Sequence, residues 1–217
     1  MSRRTVAIGI FILVGLIAAV FLYNRFSVEE QAPSTASETP SLVRPHSPII
    51  GPADAPVTIV EFFDPSCESC RAFYPVVKRI MAEYPDDVRL AIRYALFHKG
   101  SEEASRILEA ARKQGLYVPV LEAVLAAQPQ WHDDPKIQAA WEAAEAAGLD
   151  LEKARVMMNA PDVTAALNQD AVDIQALKLR GTPTFFVNQE LLPRLDPQQL
   201  YEMVRSEVAK HDDNHGS

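Results

Sequence analysis

The chain has 217 residues, 48% hydrophobic and 23% charged, which is enough apolar mass for one or two domains with a real core. Its only cysteines are Cys67 and Cys70, which excludes a disulfide-stapled miniature scaffold and a four-cysteine zinc site. The formal net charge is −8, yet residues 26–217 carry 18 basic and 29 acidic groups, net −11; so acidic a body excludes a nucleic-acid partner, whose phosphates demand a basic footprint. The glycines and prolines are scattered, with no phosphate-cradling glycine loop and no internal repeat.

Thr5 to Tyr23 contains no charge and no proline. As a helix it reaches roughly 28 Å, close to the hydrocarbon thickness of a bilayer. Arg3 and Arg4 precede it, so the positive-inside rule predicts a single N-terminal transmembrane helix that leaves the N-terminus in the cytoplasm. A cleaved signal peptide is the competing reading. The run is longer than the usual apolar region of about 7 to 15 residues, and Ala18-Ala19 leads into Val20-Phe21-Leu22 without a small-x-small cleavage site, which favours an uncleaved anchor over residues 1–25. Either reading places the body outside the cytoplasm, where disulfide chemistry is possible. With the anchor kept, the protein is single-pass in the inner membrane and its body faces the periplasm or an equivalent space. Residues 26–48, rich in Pro, Ser, Thr, Glu and Ala, read as a solvated linker.

At Val57 the pattern changes to Val-Thr-Ile-Val-Glu-Phe-Phe, apolar on both faces, as in a buried central strand. A helix of about fifteen residues follows, with Phe73, Val76, Val77 and Ile80 at helical spacing and a kink expected at Pro75. Val88 to Phe97 reads as a second strand, so the segment forms a parallel strand-helix-strand crossover. Residues 101–176 show only helical patterns: Glu102–Lys113, Tyr117–Ala127, Pro135–Ala147, Leu151–Met158 and Val163–Lys178, with Gly115 and Gly148 as stops. Thr184–Val187 is a late strand, Asn188-Gln189 a hairpin turn, and Leu191-Leu192 the start of its partner. Asp196, Pro197 and Gln199 make a capping box for a terminal helix reaching about Lys210, and residues 211–217 form a flexible tail.

Cys67-Glu68-Ser69-Cys70 lies where the first strand ends and the first helix begins. Cys67 falls at the helix N-terminus, where free amides and the helix dipole favour the thiolate, the species that attacks disulfides. Cys70, one turn on, is placed to resolve a mixed disulfide. As a structural staple the pair would do little, since closing so short a loop removes only about 2 kcal/mol of unfolded-state entropy. Zinc would need two further ligands, and the five histidines show no paired spacing in the body, so no metal ligands are assigned; a two-thiolate Cu(I) site stays open, making a copper-handling thiol module the alternative function. His98 reads as a loop histidine, Trp131 and Trp141 as packing of the helical region, and Phe62, Phe185 and Phe186 as core.

Three motifs in order, Gly51 to Asp64 (Gly-Pro-Ala-Asp-Ala-Pro-Val-Thr-Ile-Val-Glu-Phe-Phe-Asp), Cys67-x-x-Cys70-Arg71, and Gly181 to Asn188 (Gly-Thr-Pro-Thr-Phe-Phe-Val-Asn), resemble the thioredoxin-like, DsbA-type thiol-disulfide oxidoreductases from about Ile49 to Lys210. The resemblance implies an α/β thioredoxin-like fold, residues 49–97 and 177–210, with an inserted all-helical domain at 98–176. It implies that Cys67 is the nucleophile, Cys70 the resolving thiol and Glu61 the buried acid beneath them. It further implies a cis-proline at Pro183 facing the cysteines, with Thr182 beside the peptide groove. Val57, Ile59, Glu61 and Phe63 share one strand face, so an apolar setting should raise the Glu61 carboxyl; an end-of-strand acid paired to a surface lysine is the alternative. Glu68 and Ser69 stand where most such proteins have proline and histidine or tyrosine. As the residues that tune the redox couple, they predict a weaker oxidant, because the Glu68 carboxylate opposes a neighbouring thiolate. The implied partners are cysteine-containing protein substrates and a membrane redox partner. No cofactor is implied, and without a visible dimerisation domain a monomer is expected; the direction of electron flow stays open.

Overall fold

A computed structural model describes residues 41–215. The Thr5–Tyr23 segment therefore lies outside the described residues, among which no helix is long and apolar enough to cross a membrane. In chain order the elements are β1 (Ile49–Ile50), β2 (Val57–Phe63), α1 (Glu68–Glu83), β3 (Val88–Tyr94), α2 (Ser101–Lys113), α3 (Tyr117–Trp131), α4 (Gln138–Ala146), α5 (Leu151–Met157), α6 (Pro161–Ala176), β4 (Thr184–Val187), β5 (Glu190–Leu191) and α7 (Pro197–His215). The sheet order is β1-β3-β2-β4-β5. β2 and β3 run parallel across the α1 crossover, with Val57 opposite Val88 and Phe63 opposite Tyr94, and the remaining pairings are antiparallel.

All seven residues of β2 are buried because the strand is central and covered on both faces. Alternation sends Val57, Ile59 and Phe63 into the larger core with Val77 and Ile80 of α1, the inserted helices, and Leu200 and Val204 of α7. Val60 and Phe62 face the other way, onto Ala91, Phe186 and Ile174 of α6. Helices α2 to α6 fill the space between β3 and β4, so the late strand returns beside β2 only after the whole helical insertion. Their ends obey simple backbone chemistry. Gly115 (φ 73°) and Gly148 (φ 96°) take left-handed conformations just past α2 and α4, and Leu116 and Leu149 donate back to Ala111 and Ala144.

Several boundaries differ from the sequence reading. The second strand stops at Tyr94 instead of Phe97, because the Asp64 carboxylate binds the Phe97 and His98 amides and turns the chain away from the sheet. α3 continues through Pro129 to Trp131, whose fully buried indole N–H donates to the Val124 carbonyl. α7 runs on to His215, so most of the expected tail is helical. The capping box is half-formed: the Gln199 amide donates to Asp196 at 3.0 Å, but the Gln199 side-chain oxygen has no hydrogen-bond partner among the described residues. Residues 41–48, counted with the linker on composition, are packed. Leu42 and Ser47 are buried, and Arg44 forms a two-toothed ion pair with Asp173 at 2.7 and 2.8 Å. Composition hid this because one leucine and one arginine do the anchoring.

Candidate active site

The chain leaves β2 at Phe63, turns through Asp64-Pro65-Ser66, and enters α1 with Cys67 as its N-cap residue. The Cys67 amide donates to the Asp64 carbonyl at 3.0 Å, which closes the turn. Both cysteines are free thiols and both are buried, Cys70 completely. Cys67 Sγ lies 3.2 Å from the Thr182 carbonyl, and the Thr182–Pro183 peptide is cis. The structure therefore brings together Cys67, Cys70, Thr182 and Pro183 from the two ends of the sheet domain.

The two thiols are strongly unlike. Cys67 is lowered from 9.0 to about 5. The largest cause is a hydrogen bond from Cys70; burial opposes it, and the N–H groups of Cys70 and Ser69 add to it. Cys70 is driven far upward, first by burial and then because its proton serves the Cys67 thiolate. One sulfur is an anion at neutral pH and the other holds its proton, the asymmetry that a nucleophile and a resolving thiol require.

Glu61 is 1% exposed, and neither of its oxygens meets a hydrogen-bond partner among the described residues. Burial, with a smaller contribution from the Cys67 anion, raises it from 4.5 to about 8. The surface-lysine alternative is thus removed. Glu68, expected to tune the couple, has a side chain that is 70% exposed and lies 3.9 Å from the His132 ring. Ser69 contributes through its backbone N–H, not its side chain.

Two residues that shape the site were not singled out from the sequence. Asp64, fully buried, accepts from the Ser66 amide (2.8 Å), the Ser101 hydroxyl (2.6 Å), the Phe97 and His98 amides (2.9 and 3.1 Å) and the His98 ring (2.7 Å), while its own amide donates to Cys70 Sγ at 3.4 Å. The hydrogen bond that His98 donates to Asp64 raises the histidine and outweighs the opposing effect of burial, so it is tied to the cysteine loop. Gln128 of α3, also fully buried, donates to the carbonyls of Pro65 (2.7 Å) and Cys67 (3.0 Å) and accepts from Arg71 (2.9 Å). Through it the helical insertion fixes the turn that carries Cys67. An acid closing an apolar strand just before a CxxC was a usable signal for Asp64; a glutamine in an apolar helix was not.

Among the described residues no cluster of three or more His, Cys, Asp or Glu could hold a metal. The geometry defines a dithiol centre at a strand-to-helix turn, faced by a cis-proline loop.

Comparison with known proteins agrees. The family profile described as Thioredoxin matches residues 44–206. The crystal structure of a thioredoxin-like oxidoreductase from Silicibacter pomeroyi superposes with a TM-score of 0.69 at 32% identity, covering 77% of this chain and 94% of that one. BdbD from Bacillus subtilis (TM-score 0.66, 24% identity, 75% and 93% covered) and the catalytic domain of Proteus mirabilis ScsC (0.62, 24%, 75% and 89%) share the fold. A stretch of 139 residues is 32% identical to part of a Na(+)/H(+) antiporter NhaA of Herminiimonas arsenicoxydans, covering 64% of this chain and 22% of that protein; the chain spans about a fifth to a quarter of the length of such relatives. The chain belongs to the thioredoxin family, with Cys67 and Cys70 as its CxxC pair.

Proposed function

We propose that this protein exchanges disulfides with cysteine-containing proteins outside the cytoplasm, held at the inner membrane by its N-terminal helix. The observation that carries this is the pairing of a Cys67 anion with a protonated, buried Cys70 under the Thr182–Pro183 loop. Reduction of a client begins when the Cys67 thiolate attacks one client sulfur; a mixed disulfide forms and the other client sulfur leaves as a thiolate and takes a proton. Cys70 then gives up its proton and attacks Cys67 Sγ, releasing the second client thiol and leaving the Cys67–Cys70 disulfide. Two electrons pass to the client, and a membrane dithiol partner returns them, itself becoming a disulfide. Client oxidation is the same sequence in reverse, with a membrane oxidant accepting the pair.

Glu61 supports the second step. Once Cys67 is tied up in the mixed disulfide, the anion that helps raise Glu61 is gone. The carboxylate then ionises more readily, when Cys70 needs a base. Beside Pro183, an apolar groove of about 380 Å³ seats the client chain.

Insulin reduction and refolding of scrambled ribonuclease, measured for the wild type and Cys67→Ser, test the proposal. Loss of both activities in the variant is expected; equal activity in the two proteins would overturn it.

A further inference from the structure

The groove beside Pro183 has a one-sided charge. Its apolar wall comes from Leu179, Phe185 and Leu192, together with Leu191 and Leu195, which are 50% and 41% exposed. The charged residues on its rim are Lys178, Arg180 and Arg194, with no acid among the lining residues. Lys178 and Arg180 have no side-chain partner among the described residues, and Arg194 meets only Asp196, at 3.7 Å with the arginine side chain 78% exposed. On a body of net charge −11, two unpaired cations and a third paired only at 3.7 Å make this one groove locally basic.

Lys178 is also held where a lysine is disfavoured. α2, α4 and α6 end in the same pattern, in which the second residue past the helix turns left-handed and the next one donates back into the last turn. In the first two that residue is glycine; at α6 it is Lys178, at φ 56°. A side chain there strains the backbone, and glycine would serve the turn better. Such strain persists where the side chain is used.

We infer that this rim selects clients: an extended segment with an apolar residue for the groove and acidic residues flanking its cysteine. The inference rests on the exchange reading above and names the substrate class of the same site. The apolar wall supplies affinity without sequence preference, while Lys178, Arg180 and Arg194 reward aspartate or glutamate within a few residues of the reacting cysteine and repel basic segments. Acidic clients that the body as a whole would repel are thereby admitted at this one place.

The test uses two synthetic peptides, each with one cysteine as its mixed disulfide with 2-mercaptoethanol and one leucine, flanked by glutamates in one and lysines in the other. Rates of peptide-thiol release by the reduced protein are divided by the rates with dithiothreitol, which removes differences in intrinsic disulfide reactivity. The wild type should favour the glutamate peptide by about tenfold at about 20 mM salt and lose most of that preference at about 0.5 M. The triple variant Lys178→Glu, Arg180→Glu, Arg194→Glu should invert the ratio. Lys178→Gly should reduce the preference while raising the melting temperature, a pair of effects that damage to the fold would not produce. A wild-type ratio of one or below at low salt overturns the inference without reference to any variant. If neither peptide reacts faster with the wild type than with Cys67→Ser, it is the exchange reading that has failed.

Discussion

Glu61 and the pair Asp170 and Asp173 are buried to the same degree on opposite faces of one sheet, yet they are treated in opposite ways. Glu61 faces Ile59 and Phe63 with no hydrogen bond to either oxygen from any described residue, and it holds its proton up to about 8. Across the sheet, the wholly buried Arg93 donates to Asp170 (2.6 Å), Asp173 and the carbonyl of Leu42 (2.8 Å), and lies over the Phe62 ring. Arg44 and Gln169 complete Asp173, and the Tyr94 amide and His46 complete Asp170. Burial pushes Asp173 up, but the bonds from Arg44, Arg93 and Gln169 outweigh it and hold the carboxyl below its usual range. A buried acid supplied with every partner is architecture; one denied them becomes a proton store near neutral pH.

Removing the arginine should break the architectural side most severely. Arg93→Ala leaves two buried carboxylates short of their main partner and releases residues 41–42 from the sheet, so urea unfolding should show a loss of about 3 to 5 kcal/mol. A loss under about 1 kcal/mol would mean the cluster is not the lock it resembles.

Glu61 sharpens the other side through the pH dependence of stability. Cys67, depressed from 9.0 to about 5, stabilises the reduced fold fully above about 9, and that contribution is lost as pH falls to about 5. Glu61, raised from 4.5 to about 8, acts in the opposite sense: its folded form is favoured below about 4.5 and penalised as pH rises to about 8. The two slopes overlap and oppose, so the contributions of these two groups to the reduced wild type should nearly cancel between about 5 and 8. Glu61→Gln removes one slope, and denaturant unfolding across that range should then show stability rising with pH by a few kcal/mol, at about 1.4 kcal/mol for each tenfold in protonation. A flat profile in the variant would refute the assignment.

Gln128→Ala tests a neutral buried group used for positioning. With the Pro65 and Cys67 carbonyls left unpaired, a loss of about 1 to 3 kcal/mol is expected, together with a Cys67 thiolate whose ultraviolet titration is broader and higher. The smallest effect belongs to the exposed pair Lys78 and Glu122, 2.6 Å apart. Lys78→Ala should change stability by less than about 0.5 kcal/mol, because solvent screens the pair and both side chains lose freedom in making it.

Much of this molecule was legible along the chain. The alternating and doubly apolar runs located β2, β4 and the crossover; glycines marked the ends of α2 and α4; and the strand face shared by Val57, Ile59, Glu61 and Phe63 put the acid in the core. The position of Cys67 at a helix start already argued for its thiolate. These features depend on neighbours within a turn or a strand, and such neighbours are written in the sequence at fixed spacing. What only the tertiary structure decided are the polar partnerships between distant segments: Gln128 with Cys67 across 61 positions, Arg93 with Asp170 across 77, Arg44 with Asp173 across 129. No periodicity encodes them, because a hydrogen bond depends on which groups the folded backbone brings within about 3 Å, not on their spacing along the chain. Hence the sequence by itself located the sulfur pair at a helix start and placed Glu61 on an apolar strand face, while folding alone decided that Asp64 and Gln128 would hold the turn that carries Cys67 and that Glu61 would be left without a partner among the described residues.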